Sequence, residues 1–454
     1  MNIRKEIDGY LDKVCSKVKF AKAHKGLKLE LRSHIEDQAR KYRLDGMAED
    51  ESFIKAIEEM GDPYSVGEEL NSIHKPQIDW ITIGLIGVLM LFGIYVLVSL
   101  RNQYILGNYY MKIGYSQLIY MVIGILFMTI LYFFDYTRLE KYSYLIYGLG
   151  LLMTPFILMG PFHHHRFLLG FNLSIIMPFL ASVLFIIGFS GIIERNKKSS
   201  IKGLIENIIL ALIPIFLYMR GTKTIIYLSL GIIFSWLIIR SIYKGYYEGV
   251  KKKEWFALGV ILSFGGVYTW IKSYHLRYLI ELRIPQFFTR YDDPLGSGYR
   301  YATIKDQLSR ARLFGSNAIG GNMDIFDRLP DLKSDGILTY IITSLGWIPG
   351  IVLIGVSIFM IVRLIKMASK IKNRFGYNIW TSITMFLSMQ FVILILSNLG
   401  VGPIIYSYGL PFVSISGTAS AGNMILVGLL LSIWRSNNVE VQDGLTCEEE
   451  LNIN

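Results

Sequence analysis

The chain has 454 residues, of which 52% are hydrophobic, 14% aromatic and only 18% charged, against about 25% charged in a typical soluble domain. Its formal net charge is +11, from 46 Lys+Arg and 35 Asp+Glu. These proportions exclude a disordered polymer, a collagen-like fibre and a disulfide scaffold, and they leave too much apolar surface for a water-soluble globule.

Residues 1–78 read as a soluble helical unit. They are close to neutral, with about 14 basic and 16 acidic residues up to position 79, so the positive excess lies in the remainder. Ile3, Ile7, Leu11, Val14 and Val18 recur at helical spacing and form one apolar stripe. Ser52 is positioned to cap a helix carrying Phe53, Ile54, Ile57 and Met60, which Gly61 ends before Asp62-Pro63 restarts the chain. Three to four short helices fit a small cytoplasmic bundle. The start is too polar for a secretory signal. Cys15 and Cys447 both fall in segments read as cytoplasmic, so neither a disulfide nor a metal cluster is expected. The stretch Ala56-Ile-Glu-Glu-Met-Gly-Asp-Pro63 resembles a motif of the HAAS-type helical prefix domains that precede some bacterial membrane proteins.

From residue 79 to 436 the apolar runs are long enough to cross a bilayer core of roughly 30 Å. Ten spans are expected, at 80–100, 115–134, 142–160, 172–192, 203–219, 222–240, 255–271, 337–362, 378–398 and 409–434, followed by a tail at 437–454. The fold class is therefore an all-α polytopic membrane protein with a small cytoplasmic helical bundle in front. With the N-terminus inside, the short inner loops 135–141, 193–202, 241–254 and 363–377 hold about 15 basic residues. The short outer loops hold about 5. That bias orients both termini toward the cytoplasm. The basic clusters punctuate apolar runs and form no nucleic-acid stripe. Gln390 and Asn423 are polar within spans and should face the bundle.

Residues 272–336 break the pattern as a long, basic outer loop. Apolar stretches at Tyr278-Leu-Ile280 and Pro285-Gln-Phe-Phe288 indicate that it folds on the membrane surface. It carries Arg277, Arg283, Arg290, Arg300, Lys305, Arg310, Arg312 and Arg328. Arginine forks suit a pyrophosphate. Asp335, preceded by Ser334, stands among these cations at the head of the eighth span, where a carboxylate can serve as general base on a hydroxyl. The same two residues also suit an ordinary helix N-cap, and the residues by themselves leave both roles open. His163-His-His165 have no neighbouring Cys, Asp or Glu and read as a plain loop cluster.

Leu329-Pro-Asp-Leu-Lys-Ser-Asp335, followed by Leu345-Gly346, resembles the outer-loop signature of the SEDS family of rod-shape and division-septum membrane proteins, Leu-Pro-Glu-x-His-Thr-Asp and then Glu-Glu-Leu-Gly. Arg166-Phe-Leu-Leu-Gly170, Gly221-Thr222, Gly298-Tyr299, Leu313-Phe-Gly315, Asn398-Leu-Gly400 and Leu410-Pro-Phe-Val-Ser414 with Gly417 fall in family order around it. The resemblance covers about residues 80–435. It implies a peptidoglycan glycosyltransferase that polymerises lipid II, the undecaprenyl-pyrophosphate-linked disaccharide, at the outer face of the cytoplasmic membrane, beside a class B penicillin-binding protein. It makes Asp335 the catalytic residue, with Arg310, Arg312, Lys333 and Ser334 as candidates to hold substrate. No organic cofactor is required, and a divalent cation is compatible with the pyrophosphate chemistry.

The departures from the family pattern are specific. The signature Glu, His and Thr are Asp331, Lys333 and Ser334, and the Glu-Glu pair is Thr343-Ser344. The charged stretch of the fourth span is replaced around Ile176-Met-Pro178, and the family's aspartate before Leu-Gly-Thr is Met219. These losses support an alternative, a non-catalytic scaffold or sensor of wall synthesis. A lipid flippase is disfavoured because few ionisable groups lie within the spans.

Overall fold

The computed structural model describes residues 3–21, 23–73, 75–103, 107–154, 167–168, 171–197, 199–218, 224–248, 278–315, 335–405 and 409–437. The chain divides into two compact units. One comprises Met1–Asp79, Ile371–Arg374 and Ile433–Asn454; the other comprises Trp80–Lys370 and Phe375–Ser432.

The first unit contains four helices, Ile3–Lys17, Ala23–Leu44, Glu49–Glu59 and Pro63–Ile73. Its core gathers Ile7, Leu11 and Val14 of the apolar stripe with Tyr10, Ile35, Ala39 and Ala56, and Ile3, Phe53 and Ile57 pack against it. Val18 sits in a second small cluster with Ala23 and Leu27. The Tyr10 hydroxyl donates to the carbonyls of Met60 and Gly61, 3.2 Å each, fastening the first helix to the turn between the last two. Gly61 adopts φ +81°, the left-handed conformation that ends a helix, as its position suggested. Ser52 does not cap. The third helix begins at Glu49 with Ala48 in the cap position, and Ser52 lies inside it, buried, its Oγ donating to Glu49 O at 2.7 Å. Glu49, Asp50 and Glu51 favour this earlier start because acidic side chains complement the positive end of the helix. The fourth helix does have a side-chain cap: Asp62 accepts from Ser65 N (2.8 Å) and from Ser65 Oγ (3.0 Å).

Among the described residues, six helices are long and apolar enough to cross a membrane: Trp80–Val98, Tyr115–Phe133, Met177–Arg195, Trp347–Ala368, Arg374–Asn398 and Gly417–Ser436. Helices Ser143–Leu152, Ile201–Tyr218 and Thr224–Tyr243 occupy the expected third, fifth and sixth spans, while the expected seventh lies outside the described residues. The Met177–Arg195, Arg374–Asn398 and Gly417–Ser436 helices are 78%, 67% and 78% buried, whereas the other three are 28% or less. The first three are therefore the inner layer, and the others turn apolar side chains outward, as lipid contact requires. Close approach uses small residues, as is usual between membrane helices: a Cβ on Gly428 would lie 2.7 Å from Met128 O. Gln390 and Asn423 face inward, and each amide donates to the other at 3.3 Å.

Two expected spans have different ends. The eighth is broken: Ile337–Leu345 is a separate helix whose residues Ile337 to Ser344 are all buried, and the spanning helix starts at Trp347. Gly346 between them has φ +102°. The tenth starts at Gly417 because Gly409 and Phe412 both have positive φ and Ser414 Oγ accepts from Leu410 N (2.6 Å), folding residues 409–414 into a buried turn. The outer loop contains a π-helical turn at Tyr278–Arg283 and helices Ile284–Phe288 and Tyr299–Arg310. A two-residue antiparallel ladder, Phe167–Leu168 with Phe171–Asn172, is the one departure from helix in the named elements.

Candidate functional site

The short Ile337–Leu345 helix sets the site. Its cap position is Gly336, which puts Asp335, 4% exposed, at the head of a helix enclosed on all sides. Asn398, at the end of the Arg374–Asn398 helix, organises this terminus. Its Nδ2 donates to Asp335 O (2.6 Å) and Leu394 O (2.7 Å), and its Oδ1 accepts from Thr339 N (3.1 Å) and Thr339 Oγ1 (3.2 Å). An amide from another helix thus satisfies both a donor and an acceptor of the buried backbone, which would otherwise carry a desolvation cost.

Asp335 lines a small pocket together with Arg300, Ile304, Gly336, Thr339, Leu394, Ser397, Asn398, Ile404 and Ile405. Three separate stretches of chain supply these walls, and Tyr301 ties two of them. The Tyr301 hydroxyl donates to Gly402 O (3.4 Å) and accepts from Ile404 N (3.0 Å), holding residues 402–405 against the Tyr299–Arg310 helix. Burial pushes the Tyr301 phenol above its ordinary range, while the Ile404 amide and then Arg283, Arg290 and Arg300 pull it back.

The other end of the Ile337–Leu345 helix is fastened to the chain leaving the Tyr299–Arg310 helix. Gly315 N donates to Leu345 O (2.7 Å), Trp347 N to Arg312 O (2.9 Å) and Ile348 N to Leu313 O (3.1 Å). The Leu313-Phe-Gly315 and Leu345-Gly346 motifs are thus paired through their backbones.

Among the residues singled out in the sequence, Asp335 and Arg300 share the pocket. Arg310 and Arg312 are not among the described residues that line it. Arg310 is exposed and paired with Asp306 (2.8 Å); Arg312 is exposed and contributes its carbonyl to the Trp347 junction. Lys333 and Ser334 lie outside the described residues, as do His163, His164, His165, Arg166, Met219, Arg277, Arg328 and Asp331. Thr343 and Ser344, in place of the acidic pair, turn their hydroxyls back onto their own helix, Thr343 Oγ1 to Thr339 O and Tyr340 O at 3.0 Å each. Among the described residues no three His, Cys, Asp or Glu side chains converge as a metal site would need.

The model of the FtsW/RodA/SpoVE family, described as cell cycle proteins, matches residues 76–439. The chain belongs to this family. A probable peptidoglycan glycosyltransferase FtsW of Wigglesworthia glossinidia brevipalpis is 25% identical over 358 residues, 75% of this chain and 87% of that protein. Stage V sporulation protein E of Bacillus subtilis is 27% identical over 153 residues, 34% of this chain and 41% of its own length. The fold is similar to that of rod shape determining protein RodA of Thermus thermophilus, with a TM-score of 0.53 and 16% identity, covering 79% of this chain and 97% of RodA. It is also similar to a chain from a peptidoglycan synthase complex that coordinates polymerization and crosslinking, with a TM-score of 0.57 and 18% identity, covering 79% and 98%. As in other FtsW/RodA/SpoVE proteins, the chain is multi-pass and belongs in the cell membrane. The helices up to Ile73 precede the matched region.

Sequence reasoning counted Arg300 among the loop cations but gave it no role, and it saw in Asn398 only a motif letter. A signal existed for Asn398. An amide at the end of an apolar span invites the argument that placed Gln390 and Asn423 inside the bundle. No sequence signal separates Arg300 from Arg310, because which guanidinium meets the pocket is decided by how the Tyr299–Arg310 helix packs.

Proposed function

We propose that this FtsW/RodA/SpoVE protein is a peptidoglycan glycosyltransferase in which Asp335 is the general base. The observation that carries the reading is a carboxylate buried at the head of an enclosed helix, beside a guanidinium, in a pocket whose remaining walls are apolar or hydrogen-bonded. The substrate is lipid II. Asp335 takes the proton of the acceptor sugar's C4 hydroxyl, and that oxygen bonds to the donor's anomeric carbon. The bond from that carbon to the pyrophosphate oxygen breaks, and its electron pair leaves with the polyprenyl pyrophosphate. A divalent cation would be held mainly by the pyrophosphate, with Asp335 the described carboxylate lining the pocket.

The basic bias of the inner loops supports an orientation with both termini in the cytoplasm and the Asp335 pocket toward the outer face. A class B penicillin-binding protein is the expected partner, since a similar chain occurs in a synthase complex that also crosslinks.

The test supplies fluorescent lipid II to the purified full chain with its penicillin-binding partner. Wild type should form polymer, and Asp335→Ala should lower the rate by about 10²–10⁴, the usual contribution of a positioned base. Equal polymer from the two proteins would sink the assignment. Thr343 and Ser344, whose hydroxyls are spent on their own helix, favour a second reading as a scaffold or sensor. Growth rescue by the Asp335→Ala gene equal to wild type would support that one.

A further inference from the structure

Asp335 is buried, and the free space in the pocket it lines is about that of one water molecule. One hydroxyl fits such a space; the sugar ring that carries it does not. A wall must therefore give way before a ring can bring its hydroxyl to the carboxylate.

The walls differ in how they are held. Ile304 belongs to the Tyr299–Arg310 helix, Thr339 to the Ile337–Leu345 helix and Leu394 to the Arg374–Asn398 helix. Moving any of these disturbs a run of backbone hydrogen bonds at once. Ile404 and Ile405 belong to a non-helical stretch. Its base is fixed through the backbone: Gly400 N donates to Ser397 O (3.2 Å) and Val401 N to Leu396 O (3.1 Å). Beyond that base, no backbone–backbone hydrogen bond reaches Gly402 to Ile405 among the described residues, and Pro403 has no N–H to offer. Two side-chain hydroxyls do the holding. Tyr301 donates to Gly402 O and accepts from Ile404 N, and Ser397 Oγ donates to Pro403 O at 2.8 Å.

Backbone tied only by hydroxyls can exchange those bonds for water, and such stretches open locally at a small free-energy cost. Ile404 and Ile405 are both buried, which draws the stretch back once it has opened. Gly400, at the base, has φ +68°, a conformation that a residue with a Cβ disfavours and a glycine enters freely. A pivot, a latched segment and an occluded carboxylate thus adjoin one another in the chain fold.

We propose that Gly402–Ile405 is a strap that swings on Gly400 to admit the acceptor sugar and then closes against it, with the Tyr301 and Ser397 hydroxyls as its two latches. What the strap admits rests on the reading of Asp335 as base toward a sugar hydroxyl; that the strap opens does not. Closure after entry also keeps water away from the reacting groups, as lids over other active sites do.

The test reads access to the pocket, not turnover. Leu394 lines the pocket and is buried, so Leu394→Cys places a thiol behind the strap. The full chain in nanodiscs is treated with a charged methanethiosulfonate reagent, and the modification of each cysteine is followed by mass spectrometry. Leu394→Cys should react slowly. Adding Tyr301→Phe or Ser397→Ala should speed it by roughly tenfold, about what one or two hydroxyl bonds contribute. Ser344→Cys, buried on the neighbouring helix and outside the pocket lining, should keep its rate in both backgrounds. If Tyr301→Phe elutes aggregated, Ser397→Ala decides. An unchanged Leu394→Cys rate with the latches removed overturns the proposal, and so does a Ser344→Cys rate that rises in step, since the whole site would then be loosening. Lipid II added to the Asp335→Asn form should slow the labelling; no slowing would show that the strap does not serve the sugar. Polymer from Asp335→Ala would defeat the base assignment while leaving the effect of the latches on labelling intact.

Discussion

Asn398 Nδ2 donates to the backbone carbonyl of Asp335 at 2.6 Å, across a separation of 63 residues. Its Oδ1 receives the Thr339 amide at 3.1 Å, so a single planar side chain holds both ends of the first turn that presents Asp335. Replacing Asn398 by Leu would leave a buried carbonyl and a buried N–H without these partners. Each such loss costs about 1–3 kcal/mol. Asn398→Leu should therefore lower the thermal midpoint, and it should lower polymerisation more than lipid II binding, because the carboxylate's position is what loosens. Equal activity in the lipid II assay would show that Asn398 does not position Asp335.

Tyr301 provides the link between the outer-loop helix and residues 402–405. Tyr301→Phe removes one donated and one accepted hydrogen bond, roughly 1–2 kcal/mol together, and should weaken substrate binding because Ile404 and Ile405 wall the pocket. Its pH signature has a definite sign. The folded phenol binds its proton more tightly than the ordinary value of 10.0. Its contribution is therefore fully present below pH 10 and declines as pH rises through 10 toward the folded value. Activity between pH 6 and about 9 should show no step that Tyr301→Phe removes; a step in that range would contradict the hydroxyl's burial.

The prefix bundle offers a test independent of catalysis. Gly67 packs so tightly on the first helix that a Cβ would sit 2.6 Å from Val14 O. Gly67→Ala should force these helices apart and raise hydrogen exchange in Ile3–Lys17 and Pro63–Ile73. Leu11, fully buried, should cost about 2–5 kcal/mol as Leu11→Ala. The Asp62 cap titrates in the opposite sense to Tyr301. The Ser65 amide, then its hydroxyl, hold the Asp62 carboxyl below its ordinary 3.8, so its stabilisation is present above 3.8 and is lost as pH falls through the lower folded value. Exchange protection of Pro63–Ile73 that is the same in wild type and Asp62→Ala above pH 3.8 would show the cap to be idle.

Much of this was written plainly in the sequence. Ile7, Leu11 and Val14 mark a buried stripe by spacing alone, and the apolar runs mark the spans, because burial and lipid both select for side-chain type. The break at Gly346 was hidden because the residues on either side, Ile337 to Val362, include no charged side chain and are mostly apolar, so the run reads as one span. The role of Ser52 was misread because three acidic residues ahead of it compete for the helix start. At the site, Asp335 was legible through its motif. Arg300 and Asn398 acquire their meaning from residues 35 and 63 positions away, respectively, in the chain, and a local pattern carries no such information.

Gly346 supplies the last prediction. It divides the enclosed Ile337–Leu345 helix from the spanning Trp347–Ala368 helix with φ +102°, a conformation that side chains with a Cβ strongly disfavour. Space is a second obstacle, since an added Cβ would lie 2.6 Å from Leu313 O and 2.8 Å from the Phe314 Cα. Gly346→Ala must therefore either straighten the break into one continuous helix or push the 312–315 segment away. Both outcomes disturb the three backbone bonds from Gly315, Trp347 and Ile348, and both move the helix that carries Asp335. Polymerisation should fall by at least about tenfold, and exchange protection at the Trp347 and Ile348 amides should drop, while the prefix bundle keeps its protection. An active Gly346→Ala protein with unchanged protection at those amides would show that the break is not needed to place the carboxylate.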